Sequence, residues 1–416
     1  MKHFTTLAML LAVNFTISQA QKLDTVSMGA SYSQQVWYKL ETDKETKAPV
    51  DEWDLAFSAK SRDAAIWSNP KETVYAAVGS IANFSTLSIN TATLTAIQDN
   101  SDTTWYIGSL NKSGDNVFDY GFGTYNTTTH NVTGDSVYVI KLIDGTTYKK
   151  FAIEKLVFDS IYIMHSANLD NTADRRDTIR KSDFNGKSFG YFSFVTNTKL
   201  DREPLMKDWD LLFTRYRGLT ANQFGVLQYY PLTGVLHNPN VTVAKRISRD
   251  TTSDNFSNQS FKTNISTMGY DWKYFNGAAY TISDSTTYFV KTINGKIYKM
   301  IFTGFGGGAN GNCIFTREYM LGTSVAAAEG STATLAVSPN PATDGQINIV
   351  FDLGKSAQQA DFQLINIAGQ IVFQQKLPTT EGLQNLQLPN LNLTSGLYLA
   401  RVQFDGKALI QKIVIR

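Results

Sequence analysis

The chain has 416 residues, and its 38 Lys and Arg against 36 Asp and Glu leave a formal charge of +2 at pH 7. So even a balance, without a basic stripe, lacks the electrostatic footprint of nucleic-acid or anionic-lipid binding, and neither is expected as a partner. Cys313 is the one cysteine, which excludes an intramolecular disulfide and a Cys-rich zinc site.

At the N-terminus Lys2 and His3 precede the apolar run LAMLLAV, and Ser18-Gln19-Ala20 follows with small residues. This order predicts a secretory leader over residues 1–20 with cleavage after Ala20. No later stretch reaches the roughly 18 apolar residues that a membrane-spanning helix needs, so no transmembrane segment is expected in the mature chain. Beyond the leader the signal is strand: short β-branched and aromatic runs separated by Asn, Asp, Gly, Ser and Thr clusters predict an all-β protein.

A first unit, 21–167, opens with the aromatic strand VWYKLET and the strand EWDLAF at 52–57. Alternation places Trp53, Leu55 and Phe57 on one face, with Asp54 turned to solvent or a loop. The loop YGFGTYNTTTHNVTGDS carries His130, and YVIKLIDGTTYKK follows as a hairpin whose Asp144-Gly145 pair predicts a type I′ turn. Residues 168–185, polar and mixed in charge, read as a linker. A second unit, 186–322, repeats the order: YFSFVTN, then DWDLLF at 208–213, then a long middle containing Met268, then YFVKTINGKIYKM with Asn294-Gly295 at its turn. Two copies about 150 residues apart do not make a propeller, whose blades recur about every 40 to 45 residues.

The glycine-rich TGFGGGANGN at 303–312 lacks the Lys-Ser or Lys-Thr of a P-loop and leads into a strand, so it reads as an inter-strand loop. Cys313 reads as a buried small residue, and His165 and His237 as strand-end and loop residues. No G-x-S-x-G, H-E-x-x-H or P-loop occurs, so no enzymatic activity is expected. SVAAAEGSTAT at 324–334 reads as a flexible linker spanning 323–334, and 335–416 as a last domain of β-hairpins in which Ile347, Ile349 and Phe351 alternate.

The stretch YFSFVTNTKLDREPLMKDWDLLFTRY, joined to TYFVKTINGKIYKMIFTGF, resembles the HmuY-like haem-binding proteins of Bacteroidota, an all-β family; 186–322 carries the closer likeness and 21–167 a diverged one. The resemblance implies haem or another porphyrin as ligand. The family's iron-binding histidines are absent from the second unit, where Met268 is the soft ligand in the corresponding segment; the comparable region of the first offers His130, on a Thr- and Asn-rich loop and without an obvious match to the family's ligand position. A surface-adhesion or glycan-contact role is the alternative, and an unrecognised secreted hydrolase a third reading.

Residues 335–416 resemble the type A C-terminal sorting domain of the type IX secretion system. The likeness rests on Pro339-Asn340-Pro341, Ile367-Ala368-Gly369-Gln370, Ser395-Gly396-Leu397-Tyr398 and a basic, apolar end through Lys412 and Arg416. It implies the type IX machinery as partner and a secreted or outer-surface location, the cargo being released or attached there. The triplets at Asp24-Thr25-Val26, Asp135-Ser136-Val137, Asp159-Ser160-Ile161 and Asp177-Thr178-Ile179 also resemble O-glycosylation sites of that phylum.

Overall fold

The structure is a computed structural model that describes residues 21–320 and 333–416, apart from 113–115, 223, 257, 343–346, 368, 390, 406 and 416. The expected leader and nearly all of the expected linker at 323–334 lie outside the described residues. Strand makes up 51% of the chain and helix 6%, which establishes the all-β class. The chain forms two compact units, one from residues up to Val290 with Tyr298–Tyr319, the other from Lys291–Ile297 with Met320–Arg416.

In the first unit the strands of the first sequence copy are β1 (Lys22–Ser27), β2 (Gln34–Lys39), β3 (Lys44–Pro49), β4 (Leu55–Ser58), β5 (Ile66–Ser68), β6 (Thr73–Ser80), β7 (Ile97–Gln98), β8 (Gly123–Asn126), β9 (Asn131–Gly134), β10 (Ser136–Lys141), β11 (Tyr148–Val157) and β12 (Ile161–Asn168). Those of the second are β13 (Arg175–Arg180), β14 (Phe189–Ser193), β15 (Thr198–Leu200), β16 (Leu211–Ala221), β17 (Leu227–His237), β18 (Thr242–Ile247), β19 (Lys273–Phe275), β20 (Tyr280–Ile282), β21 (Thr286–Lys291), β22 (Ile297–Phe305) and β23 (Asn312–Met320).

The two copies are interlaced. β1 lies on β23 of the second copy, with Val26 opposite Cys313, and β2 lies on β16, with Trp37 opposite Leu212. Reciprocally, β13 lies on β12 and β14 on β4, with Tyr191 opposite Ala56. Each copy therefore lends its opening strands to sheets of the other, β3 following β2 and β15 following β14. Segment 168–185, expected as a linker, contains β13; its polar sequence is that of a sheet-edge strand on which Ile179 alone is buried.

Period-two alternation then sorts the side chains among three cores. Leu55 and Phe57 enter a first core with Tyr162, Phe192 and Phe194. Tyr38, Leu211 and Phe213 enter a second with Met268, Trp272 and Cys313. The intervening Trp37, Ala56 and Leu212 enter a central core with Trp53, Trp67, Trp105, Tyr191 and Trp209. The tryptophans of the two WD strands thus sit in the central core, on the face opposite to the Leu and Phe that follow them, because the chain is not yet in its ladder at either Trp.

The aspartates of those strands are buried, not solvent-facing. Asp54 accepts the Phe194 N–H and Asp210 accepts the Leu40 N–H at 2.9 Å, so each terminates the aromatic strand borrowed from the other copy. The symmetry extends to Asn69 and Asn238, whose side-chain amides donate to the carbonyls of Trp53 and Trp209 at 2.6 and 3.0 Å. The hairpin turns also differ from expectation: Gly145 donates to the Leu142 carbonyl and Gly295 to that of Thr292, and in each pair only the glycine has positive φ. That places the β-turn one residue earlier, with Gly as a bulge after it. Asp144 favours this register by accepting the Thr146 and Thr147 N–H groups at 2.8 and 2.7 Å.

The second unit packs a three-stranded sheet, β24 (Thr334–Ser338), β25 (Asn348–Asp352) and β28 (Leu383–Gln387), and a four-stranded sheet, β26 (Ala360–Asn366), β27 (Ile371–Lys376), β29 (Gly396–Phe404) and β30 (Lys407–Ile415). Ile347, Ile349 and Phe351 are buried as their alternation predicts, against Phe362, Val402 and Ile413.

Candidate binding groove

The residues expected to hold haem are not brought together. Met268 is fully buried in the second core, where its backbone carbonyl accepts from Tyr288 Oη at 3.2 Å. His130 stands exposed at the β8–β9 turn with φ of 54°, its Nδ1 2.8 Å from Tyr125 Oη. His165 is enclosed, with Nε2 2.9 Å from Asp174 and the ring stacked on Phe84 at 3.7 Å. His237 is buried with Nε2 2.7 Å from the Asn264 carbonyl, and burial pushes its basicity down.

The sorting-motif residues do form one constellation. Asn340 Nδ2 donates to the Lys412 carbonyl at 2.8 Å, and Val414 N–H donates back to Asn340 Oδ1 at 3.0 Å, so the Pro339-Asn340-Pro341 segment is fastened to β30. Tyr398, opposite Ile413 in the ladder, donates to the Thr394 carbonyl at 2.9 Å just before Gly396. Gly369, at φ of 80°, closes the β26–β27 turn by donating to the Asn366 carbonyl.

The concavity with the means to hold a ligand was not legible in the sequence. At the central core the gap beside Trp53 and Trp105 is only about 40 Å³, room for a water or two. An open groove of about 450 Å³ lies instead against β17, β19 and β20. Its walls are the exposed rings of Tyr230, Tyr274, Phe275 and Tyr280, between 44% and 59% accessible. β19 and β20 pair with Phe275 opposite Tyr280, and the intervening turn is fixed by Asn276 Oδ1, which accepts the Ala278 and Ala279 N–H groups at 3.0 and 2.9 Å. Tyr280 meets Phe305 edge to face at 4.9 Å, so one wall is locked to the body.

Two cations line the groove and no carboxylate does. Arg215 on β16 lies over the Tyr32 ring at 5.9 Å. Lys273 on β19 is 7% exposed; its Nζ donates to the Thr233 carbonyl at 2.6 Å and lies over Trp272 at 4.3 Å and Phe305 at 4.6 Å. Burial pushes its ammonium down to about 8. Neighbouring Cys313 is buried as expected, its thiol pushed up to about 12 by desolvation.

Residues 336–416 match the family described as secretion system C-terminal sorting domain. The C-terminal unit is a sorting domain of the type IX system. The chain is accordingly exported by type IX secretion to the cell surface or the extracellular space. No curated protein matches the chain. Among solved structures, it is similar to one titled "Crystal structure of dimeric latent PorU from Porphyromonas gingivalis", at 8% identity and a TM-score of 0.18 over 94% of this chain. The chain spans 34% of that structure's length, and a likeness this low carries no argument about function. Among the described residues no helix is long and apolar enough to cross a membrane.

Proposed function

We propose that this exported protein is a non-enzymatic carbohydrate-binding protein of the cell surface or its surroundings, and that the groove along β17, β19 and β20 is its binding site. The observation that carries the reading is the set of four exposed aromatic rings facing one open concavity. Isolated exposed aromatics are ordinary, whereas a contiguous patch of them marks a binding surface. Tyr side chains offer a flat apolar face to the C–H side of a pyranose ring and a hydroxyl to its edge.

The test is a glycan-array screen of the purified protein, with the double variant Tyr230→Ala, Tyr274→Ala as control. Both side chains are exposed, so the fold should survive, and binding should weaken at least ten-fold. No glycan binding, or binding unaffected by the double variant, refutes the reading. The HmuY-like resemblance would instead lead to haem. A sharp low-spin Soret spectrum with added haem, abolished by His130→Ala, would replace the carbohydrate reading with that one.

A further inference from the structure

Neither cation of the groove has a carboxylate partner among the described residues, a condition shared by buried Lys150, which the Phe84 carbonyl and Asn171 hold. A charged side chain removed from water is ordinarily paired, because desolvation otherwise goes uncompensated. Among the described residues Arg202, Arg217 and Arg317 pair with Glu52, Asp99 and Asp24. Among the described residues no carboxylate pairs with half-buried Arg215, whose neighbour is the Tyr32 ring. Lys273 is satisfied by carbonyls and ring faces alone. Asp271, two residues from it, is exposed and pairs with Lys245 Nζ. Both cations line the same groove, and its exposed walls are aromatic.

We infer that the groove recognises an acidic carbohydrate, whose carboxylates are held by Arg215 and Lys273 while its sugar rings rest on Tyr230, Tyr274 and Phe275. This rests on the carbohydrate reading above and specifies its substrate class. The guanidinium presents a planar fork that matches a carboxylate, and the ammonium is a point charge enclosed by Trp272 and Phe305, where low polarity strengthens its attraction for an anion. Neutral sugars gain only the rings.

The titratable groups facing Lys273 are the Cys313 thiol on β23, Asp271 in the turn just before β19 and the Tyr280 ring on β20. Lys273 itself changes charge near pH 8, because burial pushes its ammonium down. Its contribution to anion binding is therefore complete at pH 6 and fades as pH rises through 8.

The experiment is calorimetric titration of the purified protein with a galacturonic acid hexamer and with the same oligomer after carboxyl reduction. The acidic form should bind at least ten-fold more tightly. Arg215→Gln and Lys273→Met should each reduce that preference several-fold, and the preference should narrow between pH 6 and 9 in the unaltered protein but not in Lys273→Met. Circular dichroism checks that both variants fold. Equal affinity for the two sugars, or a preference that survives both substitutions, overturns the inference while the carbohydrate reading stands. Failure of both sugars together with a blank glycan array removes both. A poly-glutamate peptide bound as tightly as the acidic hexamer overturns the assignment to sugar.

Discussion

Glu72 is the group whose replacement tests the interlaced architecture most directly. It is 6% exposed, neither carboxyl oxygen makes a hydrogen bond of normal geometry, and it lies beside Asp54, which terminates the borrowed strand β14. Desolvation first, and the neighbouring Asp54 second, push its carboxyl from an ordinary 4.5 up to about 11. The unfolded chain releases that proton near pH 4.5 and the folded one only near 11, so the folded state binds more protons throughout this window. Stability from Glu72 is thus complete below pH 4.5 and declines as pH rises. Each unit costs about 1.4 kcal/mol, so at pH 7 the site forfeits about 3 kcal/mol. Glu72→Gln keeps the shape of the protonated acid without the titration. It should raise stability by about 3 kcal/mol at pH 7 and by under about 1 kcal/mol at pH 5. Urea unfolding followed by tryptophan fluorescence at pH 5, 6, 7 and 8 measures the difference directly, since six tryptophans report on the fold. A variant less stable than the parent at pH 7, or a gain independent of pH, would refute the assignment of a buried neutral acid beside Asp54.

Three further outcomes follow from the same frame. Trp209→Ala should cost about 3 to 5 kcal/mol through the cavity opened in the central core, and Asp210→Asn a comparable amount because it leaves Lys39 buried 3.1 Å from a neutral partner; chemical denaturation of both variants decides, and a near-neutral Asp210→Asn would mean that Lys39 escapes to water. Deleting 335–416 should leave the first unit folded, since β23 ends at Met320, but hold it inside the cell envelope; whole-cell protease accessibility checks this, and normal surface delivery of the truncated chain would refute the sorting role.

The all-β class and the sorting unit were legible because composition, alternation and motif order are local properties. Pairing partners are not. EWDLAF and DWDLLF reveal that two copies exist, but nothing in either indicates that its ladder neighbour comes from the other copy, since alternation fixes faces and not partners. The aspartates were misplaced for the same reason: their acceptor role appears only once Leu40 and Phe194 arrive from the opposite copy. The groove is more dispersed still. Tyr32, Arg215, Tyr230, Lys273 and Tyr280 come from five separate segments, and each alone reads as an ordinary strand or turn residue. Arg215 gives a signal only through the carboxylate it does not meet.

The seating of Lys22–Ser27 on Asn312–Met320 also sets a timetable. Lys22–Ser27 has its hydrogen-bonding partner almost at the far end of the cargo, so its ladder stays open until nearly the whole cargo has been made. Such a long-range closure is slow compared with hairpin formation. The body of the second copy is completed only by the return of β1 and β2. A cargo whose export address follows it in the chain thus locks only once its last strand, directly ahead of that address, has been made.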